Sequence, residues 1–574
     1  MPENNITNPP LSAPTEPKKT GLRRAVGTWG SFTWGYADVG ADVYVALGLV
    51  AGFAQGGTPL AFLITGFVYI FIGLAYTELA STYPVAGGGQ FYTLRGLGDL
   101  LGFTAGWSLL LDFSIDISLF AVATAGYLNY FLVRLWPPII EQPWWAIEAL
   151  ILIGILILLN IKGIRESALL NEALCAVDLV NETFILIMGF AFAFSPQLLF
   201  HQFVYEFPTY YNFLYGSSIA IISYIGLESI SQASEETLRP ANVIPRTSLA
   251  LIFTVILYAL AFSTLGLGVM PWQVLAEHAS DPVAMLAQQI PFIGSFSGPF
   301  TAILAMTLIY SSCNTGIMGC SRIAYSMSKF QLLPSWFEKV HEKFRTPVRT
   351  IVVFSSLAIL QVILASWSGK VMDILANMYA FGAVTGYILV MVSLIVLRFK
   401  DPYSPRPYLM PGNIKLKIKL RTPKKLLEEV RQIAEMKRKT LGEAAKEQER
   451  LKTSEEKIVT HKDVKFPISA IIGLLGLLSI WVVVILTHEI GRIAGPAWIV
   501  FGLIIYFIHR KTAGLPLLGS VKRDWDKLQM EVLADAQEEE ILAKFREAIR
   551  KRDVSLRQAA AHQVGESYPK TIIK

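Results

Sequence analysis

Apolar stretches long enough to cross a bilayer recur along almost the whole of this chain, and they limit its fold more than any other feature. They fall near residues 30–55, 58–80, 100–132, 144–161, 168–195, 213–233, 247–270, 297–325, 349–366, 371–397, 466–487 and 494–509, numbered here as spans 1 to 12, each bounded by polar or Pro/Gly-rich residues. About 20 apolar residues bridge the hydrocarbon core. Lipid offers no water to backbone N–H and C=O groups, so such runs must close their hydrogen bonds within helices. The expectation is an all-α membrane protein of twelve transmembrane helices. With 53% of its 574 residues hydrophobic and 16% charged, a soluble enzyme on a single anchor is excluded. The three cysteines, Cys175, Cys313 and Cys320, lie in apolar segments; two helical turns separate the last pair, so no disulfide is expected.

Lys and Arg cluster in alternate loops: Arg23 and Arg24 before span 1, Arg95 after span 2, Lys162 and Arg165 after span 4, Arg239 and Arg246 after span 6, and Arg322, Lys329 and Arg349 around the loop after span 8. Loops after spans 1, 5 and 7 have none. Both termini are therefore expected on the cytoplasmic side, in a cell membrane. The segment from Arg398 to Lys465 carries 19 Lys plus Arg against 10 Asp plus Glu, a balance of +9 where the whole chain has +6. Within it Leu426, Val430 and Ile433 recur at helical spacing amid Lys/Glu pairs, which predicts a helical insert outside the bilayer, charged to suit contact with anionic lipid head groups.

Two spans do not read as simple helices. Span 1 contains Asp38, Gly40 and Asp42, and span 6 contains Gly216-Ser217-Ser218 followed by Gly226-Leu-Glu228. Gly-interrupted segments at corresponding positions, first and sixth, point to two inverted five-helix repeats with broken helices around a central site. Asp112 and Asp116 of span 3 lie on one helix face, as do Asp178 and Glu182 of span 5. Each such acid costs roughly 2.5–3.5 kcal/mol at a helix centre, and no Lys or Arg lies mid-span in spans 1, 3, 5 or 6 to offset it. Either several are protonated or a cation is bound among them. No phosphate-cradling Gly-Lys-Ser/Thr loop and no His- or Cys-rich metal spacing is present, so neither a metal nor a cofactor is expected, nor an enzyme, a pump or a nucleic-acid partner.

Tyr76-Thr-Glu78-Leu-Ala-Ser-Thr-Tyr-Pro84-Val-Ala-Gly87-Gly-Gly-Gln-Phe-Tyr92 closely resembles the end-of-span-2 signature of amino acid–polyamine–organocation permeases. Three further segments are similar in the same order: Leu159 to Ala168; Tyr224 to Glu228 with Glu235, Glu236, Arg239 and Arg246; and Ser321 to Ser328 with Leu333-Pro334. The resemblance covers residues 25 to 400. It implies the leucine-transporter-type five-plus-five core with two extra C-terminal helices, and substrate held by unwound spans 1 and 6 with walls from spans 3, 8 and 10. Asp38-Val-Gly-Ala-Asp42 stands where many such permeases have a Gly-Ser-Gly-like break, and Asp178 stands near the place where some proton-coupled members carry a Lys.

The resulting expectation is a secondary active transporter of amino acids or related amines, working by alternating access and coupled to protons. A potassium or polyamine importer of the same fold, and a ligand sensor with little transport, are its rivals. Gly40 and Gly226 would allow the breaks, with Asp38, Asp42 and Glu228 facing the ligand. Asp112 and Asp116 would form an opposing wall, Asp178 would be the proton-coupling site, and Tyr44, Tyr224 and Tyr379 would cap a cation. Residues 1–24 are expected as a disordered cytoplasmic tail, 25–400 as the ten-helix core and 401–465 as the basic helical insert. Residues 466–510 would form helices 11 and 12, and 511–574 a cytoplasmic tail.

Overall fold

Burial separates the spans that build the centre from those that meet lipid. The protein is described here from a computed structural model covering residues 24, 26–162, 167–341, 346–368, 370–419, 428–432 and 461–564. Span 3 (Asp99–Leu132) is enclosed along its apolar length and packs along span 8 (Gly294–Lys329) and span 10 (Val371–Lys400). Span 7 (Pro240–Val269) packs along span 2 (Thr58–Thr82) and the first half of span 1. Outward faces keep large apolar side chains exposed, among them Ile151, Val180, Leu364 and Leu486, as a lipid-facing surface requires.

Among the described residues, eleven helical segments are long and apolar enough to cross a membrane. The difference from the expected twelve spans lies in the first segment, Thr28–Thr82, whose 55 residues exceed twice what one crossing needs. A turn at Gln55–Gly57, with Gln55 at φ +46°, divides it into spans 1 and 2. A Cβ on Gly56 would lie 1.9 Å from the Gln202 carbonyl oxygen, so only glycine fits beneath that chain. Gln202, itself buried, donates to the Leu267 and Met270 carbonyls at 2.7 and 3.1 Å and accepts from the Trp272 amide at 2.7 Å. It fixes the short helix Pro196–Tyr205 to the end of span 7.

The family-like motifs meet at one end of the bundle as ion pairs. Glu78, buried at the end of span 2, accepts from Arg398 Nε at 2.6 Å and Nη2 at 2.5 Å, from the Met410 amide at 2.8 Å, and pairs with Arg406 at 3.2 Å. Arg322 pairs with Glu236 at 2.5 Å, and Glu235 accepts from the Ala86 amide at 3.0 Å. Asp401 bonds Arg95 at 2.6 Å; burial opposes its ionisation, but Arg95, Ser404 and Arg406 together hold its carboxyl below the ordinary range. At the same end the helices Trp525–Asp535 and Glu539–Val564 dock through Asp535 to Arg24, Glu538 to the Ala241 amide and Gln529 to the Thr82 carbonyl.

The insert departs from its helical expectation at its root. Asn413–Lys419 and His461–Pro467 pair as antiparallel strands, Asn413 opposite Pro467. Residues 428–432 are helical; Leu426, Ile433 and most of the remaining insert lie outside the described residues, as do residues 1–23 and 565–574. None of the three cysteines is in a disulfide, and all three are buried.

Removing one partner of a buried ion pair strands the other charge. Glu78→Ala is therefore expected to destabilise the protein by about 3–5 kcal/mol, read as a lowered thermal midpoint in detergent, whereas Glu547→Ala, whose partner Lys551 is surface-exposed, should leave it unmoved.

Candidate functional site

The break in span 6 is complete. Helix Tyr210–Ile219 runs into a 3₁₀ turn at Ala220–Tyr224, Ile225 is extended, Gly226 sits at φ +114°, and the chain becomes helical again at Glu228–Gln232. That φ favours glycine. A Cβ there would also lie 2.7 Å from the Val39 amide nitrogen and 3.0 Å from Asp38 Cγ, so the two interrupted spans touch at this point. The Gly226 amide finds its partner in Glu228, whose Oε2 accepts it at 3.0 Å, while Oε1 accepts from Tyr387 of span 10 at 2.7 Å.

The interruption in span 1 is slighter. Helices Thr28–Val39 and Val43–Ala54 flank a turn in which the Gly40 amide bonds the Tyr36 carbonyl at 2.8 Å and the Asp42 amide the Val39 carbonyl at 3.4 Å. Gly40 has an ordinary helical φ of −69°. It matters for space instead, since a Cβ would come 2.7 Å from Tyr36 Cε2.

Five carboxyl groups converge around these breaks, none more than 2% exposed. Asp38 accepts from Thr315 at 2.7 Å and Ser312 at 3.2 Å on span 8, and from Ser229. Asp42, Asp112 and Asp116 differ: among the described residues none of their six buried oxygens meets a donor in good hydrogen-bond geometry, although Ser312 stands beside Asp116. Asp112 lies beside Glu228, and Tyr379 of span 10 stands near Asp116 and Asp42. Gly316 and Gly382 let spans 8 and 10 close on the wall; their Cβ atoms would come 2.5 Å from Asp116 Oδ2 and 3.0 Å from the Asp112 amide. Among the described residues, no ion pair reaches any of the five, and no group of three or more His, Cys, Asp or Glu is arranged to hold a metal ion.

Asp178 and Glu182 form a second group, between spans 5 and 1. Asp178 accepts from Tyr44 at 2.7 Å and Tyr36 at 2.9 Å, and the Tyr36 hydroxyl lies 2.6 Å from Glu182 Oε2. Tyr44 thus points to span 5 in this structure. Tyr224 likewise faces span 2, donating to the Phe62 carbonyl at 2.7 Å and packing on Tyr69, while Tyr379 alone of the three tyrosines adjoins the central acids. The sequence does not single out Tyr36, Tyr387, Ser229, Ser312 or Thr315. Ser and Thr are common in apolar helices, bonded to their own backbone, and tyrosines are common packing residues there, so the presence of either carries no signal alone.

The model of the family described as "Amino acid permease" matches residues 27–420. The chain belongs to that family. It lies within the amino acid–polyamine–organocation superfamily, whose members are transporters and not enzymes. Over 425 residues this permease is 26% identical to the branched-chain amino acid permease BcaP of Bacillus subtilis (strain 168), covering 70% of this chain and 86% of the relative. Cationic amino acid transporter 4 of Mus musculus is 26% identical over 404 residues, 67% of this chain and 62% of that protein. The gamma-aminobutyric acid permease of Bacillus subtilis (strain 168) is 25% identical over 382 residues, 63% of this chain and 77% of the relative.

Gly226 gives the site its first test. Gly226→Ala in the permease adds a Cβ at a backbone angle and in a space that both reject, and is expected to lower stability by about 1–3 kcal/mol. Gly154→Ala, with nothing within 4 Å of the new atom, is the control and should not lower the melting temperature.

Proposed function

We propose that this permease carries a cationic amino acid or related amine across a cell membrane by alternating access, coupled to protons through Asp178. The observation that carries the reading is the cluster of buried carboxyl groups on Asp42, Asp112 and Asp116, which no basic side chain among the described residues pairs and whose polar neighbours are Glu228 beside Asp112 and Ser312 beside Asp116. Buried carboxylates are found paired, protonated or against a cation. Two unit charges 4 Å apart attract by roughly 4 kcal/mol at an effective dielectric of 20, so even one ionised acid favours an ammonium group strongly over a carboxylate.

The roles follow from the partners. Asp38 and Glu228, each already bonded, hold the two breaks in register. Asp42, Asp112 and Asp116 face the ligand, and Tyr379 stands beside them. The ion pairs at Glu78, Glu236 and Asp401 close the end that carries Arg24 and the C-terminal helices, and these contacts must part for the site to open there. The basic loops support a cytoplasmic position for that end, with the +9 insert beside anionic lipid head groups.

Asp112→Asn should weaken cationic ligands by more than about tenfold, ~1.4 kcal/mol, and spare neutral ones. The test is a competition series with lysine, leucine, glutamate, putrescine and potassium against a bound reporter ligand, on native protein and variant. Glutamate outcompeting lysine would overturn the charge argument. Potassium alone competing would move the protein to ion import, and binding without flux would make it a sensor.

A further inference from the structure

Tyr36 and Tyr44 stand four residues before and four residues after Gly40, one helical turn on either side of the interruption in span 1. Both reach the same span 5 carboxylate. Tyr44 donates to Asp178 Oδ1 at 2.7 Å, and the Tyr36 hydroxyl lies 2.9 Å from Oδ2. Asp178 therefore staples the two halves of span 1 at a fixed angle. The Tyr36 ring covers Gly40 so closely that a Cβ there would come 2.7 Å from Cε2, so a displacement of Tyr36 displaces the turn between Asp38 and Asp42.

The hydroxyl of Tyr36 has a second carboxyl neighbour, Glu182 Oε2 at 2.6 Å. A phenol has a single proton: it can donate to one carboxyl oxygen and must accept from the other. Both contacts are within hydrogen-bond distance, and a proton shared between the two carboxyls is what would let the one hydroxyl bond both at once. The remaining Glu182 oxygen, Oε1, is buried and meets no hydrogen-bond donor in good geometry among the described residues. We propose that Tyr36 is a positioning residue which, with Tyr44, reads a single proton shared between Asp178 and Glu182 and so sets the angle of span 1. This rests on the reading that Asp178 is the coupling site, and adds Glu182, Tyr36 and Tyr44 to it.

The proton balance is simple. A proton enters from the side where its activity is higher and forms an O–H bond on one carboxyl of the pair, with no oxidant, reductant or leaving group involved. When it departs to the other side, two anionic oxygens face one hydroxyl; Tyr36 keeps one and loses the other, and the staple loosens. Other titratable groups near the pair are Tyr127 of span 3, Tyr258 of span 7, bonded to Thr183 at 2.7 Å, and Cys175 one turn earlier on span 5. Span 8 contributes the neutral Thr301, bonded to Asn181 at 3.3 Å. Among the described residues, no Lys, Arg or His forms an ion pair with either acid.

The test uses the full-length protein in proteoliposomes, with lysine as the labelled probe. It measures accumulation under an imposed pH gradient and, separately, exchange of labelled for unlabelled probe at equal pH. One proton per cycle across about one pH unit supports at most about tenfold accumulation. The native protein is expected to approach that ratio. Tyr36→Phe is expected to retain exchange with the ratio reduced to about one and the pH profile of exchange flattened; Tyr44→Phe, which removes the other arm, serves if the first variant does not fold. Accumulation by both variants at the native ratio would overturn the proposal and leave Asp178 as the coupling site. Parallel loss of exchange and accumulation, with an unchanged pH profile, would also overturn it, reducing the tyrosines to packing. A native protein indifferent to the pH gradient would instead overturn the proton-coupled reading itself.

Discussion

Inside a bilayer, a polar group has no solvent to fall back on, and this constraint organises the whole protein. A helix interrupted at membrane depth releases amides that must be met by side chains. At Gly226 the Glu228 carboxylate meets that need, two residues from the amide it accepts, and is held in turn by Tyr387 from span 10. At the turn in span 1 the Gly40 and Asp42 amides are bonded locally, and carboxylates at Asp38 and Asp42 add to the polar burden there. Asp38 is fully engaged by span 6 and span 8 hydroxyls. Of the five central acids, Asp42, Asp112 and Asp116 are the ones whose oxygens meet no hydrogen-bond donor in good geometry among the described residues, and under the proposed function a cationic ligand would supply the counter-charge there.

Span 1 is the link between two carboxyl groups with different surroundings. One face carries Asp38 and Asp42 toward spans 3, 6 and 8; the other carries Tyr36 and Tyr44 toward Asp178 and Glu182 on span 5. An event at either group acts on the same three-residue turn. Under the proposed function, that geometry would let a coupling proton and a substrate influence each other without touching, through the turn they share.

Much of the candidate site is legible in the sequence for a definite reason: carboxylates within apolar runs are rare, so Asp38, Asp42, Asp112, Asp116, Asp178 and Glu228 stand out by type and depth alone. Their partners do not. The hydroxyls of Tyr36 and Tyr387 become informative only when spans 142 and 159 residues apart in the chain are brought together. Glu78 is visible within a motif, but its bond to Arg398 crosses 320 residues. The strand pair at the root of the insert has a local signal, Ile414, Leu416 and Ile418 alternating with Lys415, Lys417 and Lys419, the period of a strand. The helical spacing of Lys and Glu farther along the insert masks it. For Tyr44 and Tyr224, residue type and depth suggest a place at the site, but the direction of a tyrosine on a helix depends on neighbours that spacing does not identify.

The account stands on one claim, that the central acids select positive charge. The most direct measurement is uptake of radiolabelled lysine, leucine and glutamate into proteoliposomes containing the native protein, with and without an inside-negative potential. The account predicts that lysine enters, that the potential accelerates it, and that glutamate is excluded. Uptake of leucine or glutamate with lysine excluded, or lysine uptake indifferent to the potential, would contradict it.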